Sequence, residues 1–568
     1  MEIGLVVGVL AVLAIAAATT IGPKFGVASP LILVIAGILV SLLPFVPAVD
    51  IEPQWILAGI LPPLLYSASV SMPSMNFRRE FTAIGGLSVL LVVLSSVILG
   101  FFFSWAIPGL DLAWGIALGA ILSPTDAVAT SIVRKAGVSK RIVTILEGES
   151  MLNDASALVL LRAAVASVGV GVSLWQVAGQ FLWAVVGAVV IGLIVGRLNV
   201  VVRGRIRQVP ANVALSLVVP FVAYIPAEEV GASGLVAAVV AGLATGYGAP
   251  LRMGAQVRIA ERSVWSTIEL ILESAVFLLV GLELPTLAAD TANGGLGLPA
   301  VLALLFGAVV LVVRTALVAW SLWTLGRRRV RLEPARERLE QMQAKIESGE
   351  VPAFAIPERR GRGSQRKSGR PAATPEERLG RWQWMVARRK ADLDYLAAER
   401  LGWREGGVLV WAGMRGPADA PHRSLVILIA TLVAVGTLVI QGLTLQPLAR
   451  RLGLTEGNTT TDPAQWDALQ AELDAAALAD LVDSGNERAA SLVEKMKARL
   501  DHTSEEPADD RPDASTFASL RLQVIEAQRA KLLKLRDVGN YPSSMMDDAL
   551  AQLDAQQIGI ELRQQYSE

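Results

Sequence analysis

Chemistry in this chain has to come from polar residues set in otherwise apolar stretches, and three groups of them stand out. The first is Glu147-Gly148-Glu149-Ser150-Met151-Leu152-Asn153-Asp154. Read as a helix, it places Glu149, Ser150, Asn153 and Asp154 at i, i+1, i+4 and i+5, grouped on a side that cannot face lipid. Burial disfavours the charged form of a carboxylate, so at Asp154 a proton and a hard monovalent cation compete for the same oxygens. Such cations suit a nest rich in oxygen. A structural polar network in a helix bundle is the alternative, and it fits Glu149 better than Asp154.

The second group is Ser123-Pro124-Thr125-Asp126-Ala127. Proline removes a backbone donor and clashes with the preceding turn, so a helix here breaks and frees carbonyls. Asp126 beside the break either receives a cation or caps the second half-helix. The third is Arg314, alone in LLFGAVVLVVRTALVAW. A guanidinium there needs a carboxylate partner, for which Glu149 is the candidate and Glu273, in ILESAVFLLVGLEL, the competitor. A related feature is Gly406 to Gly416 (GGVLVWAGMRG), followed at once by Pro417. Broken segments in corresponding positions of two halves mark the ion site of an inverted-repeat transporter.

The elements that must position these residues are membrane helices. Of the 568 residues 53% are apolar, and they come in runs of about twenty, the length that spans a bilayer core. Candidate spans lie near 3–21, 27–46, 53–70, 82–106, 112–133, 142–168, 175–200, 210–226, 230–247, 263–284, 297–325, 407–416 and 424–446. The N-terminus lacks a basic n-region, so the first span is expected to be a retained helix. Alternate connections carry Lys24; Arg78 and Arg79; Arg134, Lys135, Lys140 and Arg141; Arg203, Arg205 and Arg207; then Arg252, Arg258 and Arg262. The others hold Asp50 and Glu52, Asp111, Glu228 and Glu229, and Asp290. By the positive-inside rule the N-terminus is outside and the C-terminus cytoplasmic.

The domain boundaries follow: membrane residues 1–326, a charged cytoplasmic insert at 327–404, the last membrane segments at 405–450, and a helical cytoplasmic tail at 451–568. Within the tail, Ser519 to Leu562 predicts a helical pair joined near Gly539-Asn540-Tyr541-Pro542. Lys+Arg and Asp+Glu balance at 51 each, so no nucleic-acid partner is expected. No cysteine and only two histidines, His422 and His502, exclude thiolate chemistry and His-rich metal sites. No nucleotide loop or nucleophile-base set is present, so neither an enzyme nor a cofactor is expected.

With these residues in place, the chain resembles the monovalent cation/proton antiporter family of NhaP-type bacterial sodium/proton antiporters and animal sodium/hydrogen exchangers. The resemblance rests on LPPLLY at Leu61 to Tyr66, SPTDAVA at Ser123 to Ala129, EGESMLND at Glu147 to Asp154, Arg314, and GMRG at Gly413 to Gly416. It implies an all-α, NhaA-like inverted-repeat fold of about thirteen transmembrane helices, with a dimerisation domain and a core in which two broken helices cross. It also implies that Asp154 is the shared ion and proton carboxylate, with Ser150 and the Thr125 backbone as ligands of the transported Na+ and Asp126 supporting the crossing. Asn153 resembles the neutral half of an Asn-Asp pair associated with electroneutral exchange. Glu149 with Arg314 resembles the family's buried ion pair, and Glu273, Ser67 and Arg415 are supporting candidates.

The function so implied is exchange of Na+ for protons across a bacterial plasma membrane by a homodimer, serving pH and cation homeostasis. Li+ or K+ is the alternative cation, and an inactive or sensory protein the alternative role. Two departures bear on this. Where many relatives carry an acid soon after LPP, this chain has Tyr66-Ser67-Ala68-Ser69. After Gly416 about a dozen residues of the usual half-helix are missing, and a helix over 407–416 is only about 15 Å long.

Overall fold

The computed structural model describes residues 2–25, 29–42, 55–106, 110–122, 140–167, 174–291, 463–483 and 514–565, with shorter stretches between 301 and 451. Every regular element among them is helical. The chain forms two compact units, Met1–Leu322 with Leu401–Thr459, and Trp323–Arg400 with Thr460–Glu568.

The first unit opens with α1 (Glu2–Ile21), α2 (Ser29–Ser41) and α3 (Leu61–Ser71), the last preceded by a π-turn at Trp55–Ile60. Helix α4 (Ser74–Gly85) runs through a second π-segment, Gly86–Leu90, into α5 (Leu91–Ala106). There follow α6 (Leu112–Leu122), α7 (Lys140–Ala166), α8 (Leu174–Arg203), α9 (Val209–Glu229), α10 (Gly234–Arg252) and α11 (Ala255–Thr291). Among the described residues, four stretches are long and apolar enough to cross a membrane unaided: Ser88–Ala106, Gly179–Arg203, Val209–Glu229 and Gly234–Arg252. A fifth span is added if the pair Trp55–Ser71 and Met75–Phe81, bent by 99°, counts as one broken span. Helices α7 and α11, of 27 and 37 residues, are long enough as well, but they carry charge along their length.

Two packing groups make up this unit. In one, α10 lies between α8 and α3, with α9 and α11 alongside and α2 on α11. Glycines permit the close approach: a Cβ on Gly192 or Gly196 of α8 would stand 2.5 Å from Ala237 O or 2.7 Å from Ala241 O of α10. On the other side of α10, a Cβ on Gly246 would stand 2.5 Å from Val70 O of α3. Backbones this close exclude larger side chains and lock the helices together. In the other group, α5 packs on α6, α6 on α7, and α4 with its π-segment on α7. Leu99, Phe103, Leu118 and Ile121 form its apolar core with Val310 and Val433, and Leu161 of α7 packs against it.

The structure moves several expected boundaries. Arg78 and Arg79 lie within α4, and Arg258 and Arg262 within α11, rather than in connections. Arg203, expected in a basic connection, is fully buried at the end of α8. Its Nη1 and Nη2 donate to the two oxygens of Glu261 at 2.9 and 2.8 Å, and its Nε to Asn212 Oδ1 at 2.8 Å. A paired charge can continue a helix where an unpaired one would end the apolar run.

In the second unit, α12 (Pro463–Asp483), α13 (Ala514–Val538) and α14 (Ser543–Gln565) form a small bundle. Leu469, Leu473, Ile525, Leu532, Met545 and Leu553 fill it. The turn expected between the last two helices is present, with Gly539 at φ +85, a conformation that favours glycine.

Candidate functional site

Helix α7 carries the site. Along most of its length it is enclosed by protein: Val143 to Leu146, Gly148 to Ser150, Asn153, Ser156, Ala157, Val159 and Leu160 are all buried. A helix buried on all sides is normally apolar throughout. This one sets Glu149 at 0%, Ser150 at 5% and Asn153 at 0% exposure. Glu149 and Asn153 stand one turn apart, and Asn153 Nδ2 donates to Glu149 Oε1 at 3.4 Å. That is long for a hydrogen bond, so it orients the pair more than it binds it. Ser150 is one turn before Asp154 on the same side of α7. The Asp154 side chain itself lies outside the described residues.

What braces α7 here is the run from α4 into its π-segment. Ser88, fully buried, donates to Ile84 O at 2.6 Å and to Glu149 O at 3.4 Å. Gly148 makes the approach possible, since a Cβ there would meet Ile84 Cδ1 at 2.7 Å and Met72 Cε at 3.0 Å. π-Segments leave spare backbone carbonyls and recur at functional sites. Ser88 has no motif to announce it, and the sequence reading missed it.

Of the supporting candidates, Ser67 is buried and donates to Glu269 Oε2 at 2.9 Å. An acid from α11 thus faces α3 just after LPP. Glu273 lies one turn further along α11 and is half-buried. Glu261, Trp265, Glu269 and Glu273 recur at four-residue spacing, the signal that could have revealed the stripe from sequence. Trp265 Nε1 donates to Ser216 Oγ at 3.2 Å, tying the stripe to α9.

Ser123, Thr125, Asp126, Arg314 and Arg415 lie outside the described residues. Val310, four residues before Arg314 in sequence, is buried against the α5 and α6 core that also takes in Leu161 of α7. The eleventh apolar run therefore reaches the group that holds Glu149. The arrangement offers buried carboxylate, hydroxyl and amide groups on one helix, a set suited to a proton and a small cation. Among the described residues no group of three His, Cys, Asp or Glu side chains could hold a resident metal ion.

Comparison with known proteins identifies the family. The family pattern described as sodium/hydrogen exchanger, transmembrane, matches residues 9–353, more than half of the chain. An Escherichia coli K12 protein described as an uncharacterized Na+/H+ exchanger is 36% identical over 271 residues, covering 46% of this chain and 49% of that one. A Bacillus pumilus sodium, potassium, lithium and rubidium/H+ antiporter is 33% identical over 289 residues, covering 49% and 43%. The chain thus spans about half the length of the curated relatives it matches. Among solved structures, the sodium proton antiporter of Methanocaldococcus jannaschii at pH 8 superposes with a TM-score of 0.51. It is 16% identical, and the superposition covers 80% of this chain and 99% of that one. At that identity the likeness speaks to the fold.

Proposed function

Because the chain belongs to the sodium/hydrogen exchanger family, we propose that it is a secondary active transporter exchanging Na+ for protons through the polar set on α7. The observation that carries this reading is the enclosure of Glu149, Ser150 and Asn153 in one helix next to Asp154. Buried polar groups at membrane depth are costly and mark ion pathways.

In this mechanism Asp154 binds a cation from one face, with Ser150 and the Thr125 backbone as further oxygen ligands. The α4 to α7 group then moves relative to the α3 and α8 to α11 group, and protons displace the cation on the other face. Asn153 keeps its amide neutral throughout, so one carboxylate exchanges one cation for one proton and no net charge crosses. Glu149 pairs with Arg314 and braces α7, and Asp126 balances the broken fifth segment. We place the protein in a bacterial plasma membrane as a homodimer of about thirteen-helix, inverted-repeat protomers, with the N-terminus outside and the insert and tail in the cytoplasm.

Broad selectivity is a second reading, favoured by the Bacillus relative whose name includes potassium, lithium and rubidium. Dequenching of a pH dye in inverted vesicles, with Na+, Li+ and K+ added in turn, tests both. Proton flux coupled to Na+ is expected, and no flux with any cation would contradict the proposal. In proteoliposomes an imposed membrane potential should leave the rate unchanged.

A further inference from the structure

Near the end of α7 the two helix groups face each other across a cavity of about 350 Å³. Its walls include Leu158 and Val159 of α7, Phe181 and Ala184 of α8, and Ala232 and Leu235 of the α9–α10 corner. Arg162 of α7 also lines it, and its Nη1 donates to Glu228 Oε2 of α9 at 2.5 Å. The two ends of this ion pair are held differently. Glu228 belongs to a corner pinned within its own group: its Oε1 accepts from Gly234 N at 2.9 Å, and Ser233 N donates to Ala184 O at 3.0 Å. Trp183 Nε1 adds a third tie, to Val230 O at 3.1 Å. Arg162 comes from the other group, eight residues beyond Asp154 on the same helix.

We propose that Arg162 and Glu228 form a latch that closes the α9–α10 face of the protein and must open in every transport cycle. This rests on the exchange mechanism above, in which the helix carrying Asp154 moves against α8 to α10. Opening a path from this face to α7 widens the cavity and pulls Arg162 off the pinned corner. With the N-terminus outside, as proposed above, this is the outer face, which makes the pair an outer gate. Its side chains are 45% and 27% exposed, so solvent screens the pair and the latch is weak enough to cycle. A weak latch biases the populations of the two states without locking either.

Kinetics separate a latch from a merely structural contact. Arg162→Gln should favour the state open at the α9–α10 face, lowering the half-saturating cation concentration on that face and raising it on the other, so that the ratio of the two shifts by about two- to fivefold. Glu228→Gln keeps an oxygen for Gly234 N and should shift both values in the same directions. Structural damage would lower the maximal rate without opposite shifts, and unchanged values on both faces would overturn the latch.

The absence of native cysteine allows a direct test in proteoliposomes with the full chain. An Arg162→Cys/Glu228→Cys pair joined by a short thiol cross-linker should stop exchange, and reduction of the cross-link should restore it. A Trp183→Cys/Val230→Cys pair, cross-linked within one group, should leave exchange running. Exchange that persists through the 162–228 cross-link would overturn the latch while leaving the antiport mechanism standing. An unmodified chain that exchanges no cation would instead overturn the antiport mechanism itself. If the 162–228 pair fails to assemble, the opposite shifts expected of Arg162→Gln decide.

Discussion

Ser150 tests how much of the cation's binding comes from neutral oxygen ligands around Asp154. It is nearly inaccessible on an enclosed helix, and the loss of one ligand contact is worth on the order of 1 kcal/mol. Ser150→Ala should therefore raise the half-saturating Na+ concentration about fivefold while changing the maximal rate less. Initial rates of exchange across a Na+ series check this. The enclosed residues of α7 were legible in the sequence because the cost of burying a carboxylate or amide belongs to the residue itself. Ser67 with Glu269 was not, because the two are 202 positions apart and only the fold brings them together. Ser88 was hidden for a different reason, since serine in an apolar run is ordinary until a π-turn aims it at a neighbouring backbone.

Helix boundaries depend on which charges find partners. Cutting the chain at charged residues put one span near 263–284, whereas α11 runs over Ala255–Thr291 because Glu261 is paired with Arg203. The same pairing makes α8 end on a buried guanidinium. Removing one partner leaves the other buried and uncompensated, at a cost of about 3–5 kcal/mol. Glu261→Gln should accordingly lower the thermal unfolding temperature of the detergent-solubilised protein, as read by loss of its monodisperse fraction. An Arg203→Met/Glu261→Leu double substitution should recover most of the loss, since an apolar pair of similar volume removes both desolvation costs. A double variant no more stable than Glu261→Gln would show that the Arg203 bond to Asn212, lost in the same step, outweighs the cost of burying the pair. The α13–α14 turn, in contrast, was legible, because Gly539-Asn540-Tyr541-Pro542 combines turn formers between two helical patterns.

Across the whole molecule, motif order and apolar run length foretold a helical exchanger-type chain. The resemblance implied a division into two domains, but not which helices join each packing group, because close approaches among α3, α8 and α10 set that. The second unit has its own core. Burial, and after it the Glu472 carboxylate that accepts from the Tyr541 hydroxyl at 3.2 Å, raises the Tyr541 phenol above its ordinary value. A raised phenol favours its protonated form in the folded bundle, so the stability it adds is full below about pH 10 and is lost as pH rises through the folded value. Tyr541→Phe should flatten that alkaline loss in helical signal. The central claim, exchange through α7, is tested most directly at Asp154. Asp154→Asn should reach the membrane and match the parent's size-exclusion profile, yet show no Na+-driven proton flux in proteoliposomes where the parent does. Flux retained in Asp154→Asn would contradict the assignment of ion and proton exchange to this carboxylate.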